Sequence, residues 1–296
     1  MRRGVRGPVG RGRLGRAARR PRPARPGGGV IAGGRRAAAG AVLLGALLVL
    51  VAAGPLVSPW GWDEIDFAAF REGPSAAHWL GTTQSGRDVF ALTLRGARTS
   101  LLIGLLTAAI STGLAAAVGA AAGYAGGALD RGLTWGTDAL LILPPPLVVA
   151  VLRPGGGTAV LVPLLAAFMW MVTARAVRAE TVSLRGREFV LAARFLGVRA
   201  PRVLVRHVLP RLASLLAVDA SLNVGIAIVA ESGLSYLGLG VRPPDVSLGV
   251  LMADGSGAGG AFSWPFGFAA GLLVLIVLAV SLVGDGLRDV LDPESR

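Results

Sequence analysis

The sequence predicts an all-α, polytopic membrane protein with six transmembrane helices. Hydrophobic residues make up 53% of the 296 residues and charged residues only 16%, whereas soluble domains usually carry about 25% charged residues. The mean hydropathy is +0.64. Six stretches have the length and apolar composition that a helix needs to cross a bilayer, which is roughly 20 residues. Together these observations favour a chain that is solvated by lipid.

Basic residues outnumber acidic residues by 30 to 17, and every basic residue is Arg. A surplus of this kind fits nucleic-acid binding when it lies on a soluble face. Here, however, twelve Arg lie in residues 1–36 and nine lie in Arg175–Arg211, next to predicted spans. Such clusters mark the cytoplasmic side of a membrane protein. We therefore expect membrane lipid as a partner, and no nucleic acid.

The residue types also exclude several kinds of site. Without Cys the chain has no disulfide, no thiolate metal site and no Cys nucleophile. His78 and His207 are too few and too far apart for a typical histidine metal site. Without Lys there is no Walker lysine to bind a nucleotide phosphate. We expect no catalytic residue, no metal site and no cofactor in this chain.

The amino-terminal third begins with a tail, a span and a polar segment. Residues 1–36 contain no acid and cluster Pro and Gly, which predicts a disordered cytoplasmic tail. The uncharged run Ala37–Val57 is longer than the core of a typical signal peptide, so we expect an uncleaved first span. Residues 58–98 carry five acids and four Arg, and are predicted to form an extracytoplasmic segment.

Residues 99–286 are predicted to form the transmembrane core. The other five predicted spans are Thr99–Leu129, Leu133–Leu152, Thr158–Ala174, Leu212–Leu234 and Gly267–Gly284. The positive-inside rule places the loop 175–211 and the tail 287–296 in the cytoplasm with the amino terminus. Small residues favour close helix packing in membranes. In the second span such residues are Gly104, Gly113, Gly119 and Gly123.

Polar and proline residues inside the spans are candidates for a pathway through the bilayer. An ionisable side chain at mid-bilayer costs about 3 kcal/mol on insertion scales, so it normally faces protein or water. Asp219 lies well inside its span, with Asn223 one turn further on. Pro144 and Pro145 should break the third span, and broken helices at membrane depth often line cavities. These four residues are the pathway candidates.

Charged residues near the span ends could serve transport, or they could only stabilise the structure through nearby contacts. Asp138 and Glu231 either contribute to the pathway or its gate, or lie at the interface or pair with a neighbouring helix of a partner chain. Arg87 and Asp88 lie just outside the second span. For them we predict a local salt bridge, with contact to an outside partner as the alternative.

The loop 175–211 is predicted to contain two short helices. Apolar residues recur at helical spacing near Glu180–Leu196, and Gly197 follows as a helix stop. A second helix, Arg202–Leu209, is expected to end before Pro210, because proline disfavours helix at the residue before it. A helix–Gly–helix knuckle on the cytoplasmic face suits docking into a groove of a partner, and an ordinary interspan loop is the alternative.

The stretch Glu188–Gly197, followed by His207–Pro210, resembles the EAA loop of ABC importer permeases. That motif reads Glu-Ala-Ala, three residues, Gly, nine residues, then Ile-x-Leu-Pro, and the spacing matches throughout. Two positions depart from it, because Leu191 stands at the motif's Glu and His207 at its Ile. The residues that carry the resemblance are Ala192, Ala193, Gly197, Leu209 and Pro210, with Glu188 matching the acid of the Glu-Tyr-Val-x-Ala-Ala form common in peptide permeases.

Four further stretches resemble one branch of that family, the C-type permease subunits of dipeptide, oligopeptide and nickel importers. They are His78–Asp88, Gly96–Leu101, Ser235–Pro244 and Gly284–Pro293. The resemblance implies a type I ABC importer transmembrane fold in which the loop around Gly197 docks on an ATPase. The implied ATPase-coupling residues are Glu188, Ala192, Ala193, Gly197, Leu209 and Pro210. The implied partners are a homologous permease subunit, two ATP-binding subunits and an extracytoplasmic substrate-binding protein.

The resemblance implies dipeptides or oligopeptides as cargo, with nickel as the alternative. A membrane enzyme and a non-transporting membrane receptor are the remote alternatives from other classes. An enzyme would need a convergent set of acid, base or metal ligands, but the acids are scattered along the chain and the two histidines lie on opposite predicted faces. A receptor would not bring ATPase chains with it on purification.

Overall fold

The computed structural model describes residues 28–152, 158–257 and 264–291, and within these ranges every regular secondary-structure element is a helix. Proceeding along the chain, the helices are α1 Gly28–Val57, α2 Val89–Ala125, α3 Gly127–Leu141, α4 Pro145–Leu152, α5 Thr158–Arg185, α6 Glu188–Phe195, α7 Ala200–Val203, α8 Leu209–Tyr236, α9 Leu248–Ser256 and α10 Trp264–Leu291. A π-helical turn, Leu204–Val208, joins α7 to α8. The predicted all-α class is confirmed for the described residues.

Five helices in the described part of the chain are long and apolar enough to cross a membrane. They are Gly34–Val57, Val89–Ala125, Thr158–Arg185, Ala200–Tyr236 and Trp264–Leu291. The remaining predicted span, Leu133–Leu152, is divided between α3 and α4. The break lies at the run Pro144–Pro146, as predicted. Proline lacks the N–H that would continue the helix, and its ring clashes with the carbonyl group one turn earlier.

Two helices begin earlier than the sequence predicted. Helix α1 starts at Gly28, so the predicted disorder is wrong for residues 28–36, while residues 1–27 lie outside the described residues. Further along α1, Ala37 lies against Gly286 of α10, and Arg36 pairs with Asp289 at 3.9 Å. The last residues of the predicted tail, 292–296, are also outside the described residues.

Helix α2 starts at Val89 because Asp88 caps it. The Asp88 carboxylate accepts a hydrogen bond from the N–H of Ala91 at 2.8 Å, which satisfies one of the free donors at the helix start. At the other end, Gly126 takes a φ of +66° and terminates the helix. The helix therefore spans Val89–Ala125, whereas the sequence predicted a span at Thr99–Leu129 and assigned residues 89–98 to a polar segment.

Helix α2 is the centre of the bundle and packs against α5 and α8. Glycines allow these helices to approach closely, since a Cβ on Gly104 would lie 2.4 Å from the Ile228 side chain and one on Gly119 would lie 2.5 Å from the carbonyl oxygen of Ala174. Gly123 is equally close to α5. The packing prediction is wrong for Gly113, which has no neighbour within 4 Å of a Cβ position in the described structure.

The loop 175–211 contains helices, but not with the predicted bounds. Helix α5 continues to Arg185, and α6 begins only at Glu188. The second predicted helix does not end before Pro210, because the chain is helical from Ala200 to Tyr236 without interruption. The π turn explains this: the N–H of Leu209 reaches back five residues to the carbonyl of Leu204, and this wider turn accommodates the proline ring at the start of α8.

The segment 58–88 folds around a buried histidine. His78 is 1% exposed, and its Nδ1 lies 3.0 Å from the Asp88 carboxylate. Its Nε2 lies 3.4 Å from Asp66, and its ring stacks on Trp60 with centroids 4.7 Å apart. The local partner of Asp88 is thus His78, and Asp88 also starts α2. Arg87 instead lines a cleft of about 510 Å³.

Candidate coupling knuckle and intramembrane polar cluster

Helices α6 and α7 and the turn between them form a protruding knuckle, residues 188–203. Gly197 makes the turn with a φ of +75°, in the left-handed region that favours glycine. Two hydrogen bonds close it, from the N–H of Gly197 to the carbonyl of Arg194 at 3.0 Å and from the N–H of Val198 to that of Ala193 at 3.1 Å. This is the Schellman pattern, in which a glycine ends a helix and satisfies its last carbonyls.

The underside of the knuckle is anchored to the bundle by a small apolar core. Its members come from the knuckle, from the start of α8 and from α2 and α5. The fully or nearly fully buried members are Val190, Ala193, Val203, Val208, Leu212, Val177 and Ala120. Burying an aliphatic side chain of this kind stabilises a fold by about 1.5–3 kcal/mol. The knuckle is thus a fixed projection of the bundle.

The tip of the knuckle is apolar and exposed. Phe195 is 88% exposed and Leu196 is 83% exposed, side by side just before Gly197. Arg187, Arg194 and Arg199 are exposed around them. A buried base beneath an exposed aromatic and aliphatic tip, framed by guanidinium groups, is typical of a contact site for another protein.

The structure places four of the six predicted coupling residues on the knuckle. Glu188 is exposed in the first turn of α6, Ala192 is exposed, Ala193 is buried and Gly197 forms the turn. Glu188 lines a cleft of about 730 Å³. The other two, Leu209 and Pro210, lie beyond the knuckle at the start of α8.

The two positions that depart from the motif are placed differently. Leu191 is 37% exposed on α6, so its side chain is available for apolar contact at the surface. His207 lies in the π turn and is half-buried. Beside the knuckle, the guanidinium of Arg211 lies over the ring of Phe189 at 5.1 Å, which holds the start of α8 against α6.

Two ion pairs tie the base of this region together. Arg178 on α5 donates two hydrogen bonds to Asp130 in the first turn of α3, the one to Oδ2 measuring 2.7 Å. These hydrogen bonds hold the pKa of Asp130 below its ordinary value. Arg175 pairs with Asp138 on the same two helices. Asp138 is thus paired within its own chain.

The pathway candidates fall into two separate places. Asp219 and Asn223 lie on α8 and bind each other, with Asn223 Nδ2 donating to Asp219 Oδ2 at 2.7 Å. Thr173 on α5 donates to the same oxygen at 2.8 Å, which links the two helices. Pro144 and Pro145 are exposed at the α3–α4 break, and α3 and α4 pack on α5.

Glu231 is a functional candidate that the sequence underrated. It is 0% exposed and accepts hydrogen bonds from Ser100 at 2.8 Å and from Ser235 at 2.6 Å. Its position one turn before Ser235 was visible in the sequence, but the partner on α2 is 131 residues away and could not be seen. Within the described residues, no group of three or more His, Cys, Asp and Glu could hold a metal ion.

Comparison with known proteins covers most of the chain. Residues 109–296 match the family described as binding-protein-dependent transport system inner membrane component. An oligopeptide transport system permease protein of Mycobacterium tuberculosis is 50% identical over 260 residues, covering 86% of this chain and 89% of that protein. A putative peptide permease protein of Brucella suis is 39% identical, covering 86% of each chain. The oligopeptide transport system permease protein of Bacillus subtilis is 33% identical, covering 86% of this chain and 84% of that protein.

Proposed function

Because this chain belongs to the binding-protein-dependent transport system inner membrane component family, we propose that it is the permease subunit of an ATP-driven importer of oligopeptides. The observation that carries the proposal is the match to permeases named for oligopeptide transport over 86% of the chain. Such a subunit forms half of a transmembrane pathway and pairs with a homologous permease. Two ATP-binding subunits and an extracytoplasmic binding protein complete the assembly.

The knuckle supports the proposed contact with an ATP-binding subunit. Phe195 and Leu196 offer apolar surface, and Gly197 gives the turn its shape. The knuckle continues through α7 and the π turn into α8, so a displacement of its tip is transmitted to a membrane-crossing helix. ATP hydrolysis is assigned to the partner, because this chain has no Lys to form a Walker site.

The proposed topology has six spans, with α3 and α4 together forming the broken third one. Both termini lie in the cytoplasm, as the Arg-rich ends of α1 and α5 support. The knuckle then faces the cytoplasm, and α9 with residues 58–88 faces outward. Asp219, Asn223, Pro144 and Pro145 remain pathway candidates under this proposal.

Uptake by intact cells tests the proposal. Cells with and without this gene are given radiolabelled dipeptide, oligopeptide and nickel in parallel, with an energy-depleted sample of each. We expect the deletion to abolish energy-dependent oligopeptide uptake and the gene on a plasmid to restore it. Loss of nickel uptake alone would assign the alternative cargo, and unchanged uptake of all three would contradict the importer function.

A further inference from the structure

Glu231 lies near the carboxyl end of α8, at the opposite end of that helix from the knuckle, and its carboxylate is completely buried. The ion pairs seen among the described residues do not include it, so serine hydroxyl groups solvate it. A buried carboxyl group is costly unless its oxygens are hydrogen-bonded, and Ser100 and Ser235 supply hydrogen bonds to both of them. A residue of this kind at the junction of several elements needs an explanation beyond packing.

The two main serines each relay a backbone N–H to the carboxylate. Ser100 accepts the N–H of Leu248 at 3.3 Å while donating to Glu231 Oε2, and Ser235 accepts the N–H of Val241 at 2.9 Å while donating to Oε1. A hydroxyl has one proton, and a backbone N–H is a donor only. In this arrangement each serine donates its one proton to the carboxylate and accepts a backbone N–H on a lone pair. We call this arrangement the Glu231 relay.

The Glu231 relay joins three elements that are distant in sequence. Ser100 belongs to α2, Ser235 to α8, and Leu248 is the first residue of α9. Helix α9 lies directly on α8, since a Cβ on Gly249 would be 2.3 Å from the carbonyl oxygen of Ser232. The carboxylate thus holds the start of α9 and the connection before it against the ends of two long helices.

Helix α7 of the knuckle, the π turn and α8 form one continuous helical run, which we call the rod. The helical run Ala200–Tyr236 has 37 residues, which is about 55 Å at 1.5 Å per residue. Its first end is the knuckle and its last turns hold Glu231. We propose that Glu231 is a positioning residue that fastens α9, the outer cap of the bundle, to this rod, so that motion of the knuckle opens and closes the outer side. This inference rests on the proposed importer function.

Three variants separate the relay from simple packing. Glu231→Gln turns one acceptor into a donor, so the facing serine must find another acceptor for its proton. Ser100→Ala removes the acceptor of the Leu248 N–H and the donor to Glu231 Oε2, and leaves the hydrogen bonds of Ser235 in place. Ser232→Ala is the matched control, because its hydroxyl is 3.3 Å from the same carboxylate but relays no backbone N–H in the described structure.

The complete importer, with its partner permease, ATP-binding subunits and binding protein, is reconstituted in vesicles, and peptide uptake and ATP hydrolysis are measured together. We expect Glu231→Gln and Ser100→Ala to lower peptide imported per ATP hydrolysed by at least about fivefold, the lower end of typical coupling between sites, with hydrolysis within about twofold of wild type. Ser232→Ala should match wild type. If the importer does not assemble with Glu231→Gln, the ratio of imported peptide to hydrolysed ATP in Ser100→Ala tests the inference.

An unchanged ratio of peptide to ATP in both relay variants, or an equal loss in Ser232→Ala, would overturn the inference. If the wild-type importer itself takes up no peptide, the proposed function fails instead, and the two failures are thereby distinguished. The chain has no Cys, so paired spin labels at Tyr236→Cys and Ser256→Cys, both exposed positions, give a direct readout. The distribution of distances between the two spin labels should be broader in Glu231→Gln than in wild type. An unchanged distribution would contradict the relay.

Discussion

The hydroxyl of Thr173 on α5 donates to Asp219 Oδ2 on α8 at 2.8 Å, which fastens two membrane-crossing helices together inside the bundle. Thr173→Val keeps the shape of the side chain and removes the donor. Interhelical hydrogen bonds in membranes contribute about 0.6 kcal/mol on average. We expect a loss of about that size in the free energy of unfolding in mixed micelles.

Thr107→Val is the matched control for this substitution. The Thr107 hydroxyl is buried and has no hydrogen-bond partner in the described part of the chain. Removing it should leave stability unchanged or raise it, because no hydrogen bond is lost. If Thr173→Val loses no more stability than Thr107→Val, the hydrogen bond from Thr173 to Asp219 does not stabilise the packing of α5 on α8.

Close packing of α2 on α5 predicts a large difference between two glycines of the same helix. A Cβ on Gly119 would lie 2.5 Å from the carbonyl oxygen of Ala174, so Gly119→Ala must separate the helices. Such overpacking costs about 1–3 kcal/mol. Gly113→Ala meets no atom within 4 Å and should be neutral or slightly stabilising. Thermal unfolding of the two purified variants in detergent checks this, and equal melting temperatures would contradict it.

The turn at Gly197 predicts a graded response to substitution. Its φ of +75° strains any residue with a Cβ, by about 1–2 kcal/mol, and a β-branched side chain most of all. Asn tolerates this region better. No atom lies within 4 Å of a Cβ position, so strain is the only obstacle seen in the structure. We expect Gly197→Val to reduce ATP-driven uptake strongly and Gly197→Asn to retain most of it. Equal uptake by the two variants would show that the positive φ at position 197 is not required for coupling.

The Asp130–Arg178 pair predicts a pH dependence. Hydrogen bonds from Arg178 lower the pKa of Asp130 from its ordinary value of 3.8, so the folded state binds this proton less readily than the unfolded state. The resulting stabilisation is fully present above pH 3.8 and is lost as the pH falls through the lowered pKa. Melting temperatures of wild type and Arg178→Gln should differ at pH 7, and the difference should shrink as the pH falls below 3.8 and through the lowered pKa.

Arg175→Gln is the control for the pH experiment. The Arg175–Asp138 pair joins the same helices but is about half exposed on both sides, and exposed pairs contribute little. Its melting temperature should stay close to that of wild type across the pH series. A difference between wild type and Arg178→Gln that persisted unchanged to pH 3 would show that this carboxylate is not the source.

The sequence predicted the elements that depend on local chemistry. The apolar runs predicted the membrane-crossing helices, Pro144–Pro146 predicted the break between α3 and α4, and Gly197 predicted the knuckle turn. These features follow from hydropathy, from the missing proline N–H and from the conformational freedom of glycine, all of which are visible within a few residues.

The errors came from features that depend on tertiary context. The π turn before Pro210 absorbs a proline that local rules assign to a helix end, and Asp88 starts α2 early while binding His78. The Glu231 relay joins residues far apart in sequence. Long-range contacts of this kind cannot be inferred from one sequence, because hydropathy and spacing report only on neighbours along the chain.

Under the proposed function, the exposed tip of the knuckle couples this chain to an ATP-binding subunit. The most direct test of this coupling is the amount of ATP-binding subunit that co-purifies with the double variant Phe195→Asp, Leu196→Asp, with ATP-driven oligopeptide uptake measured on the same preparation. Phe67→Asp, a 79% exposed phenylalanine at the opposite end of the bundle, is the control for ATPase binding. The account predicts that the double variant folds, loses its ATP-binding subunit and imports no peptide, while Phe67→Asp keeps the subunit. Full co-purification with normal ATP-driven uptake by the double variant would contradict it.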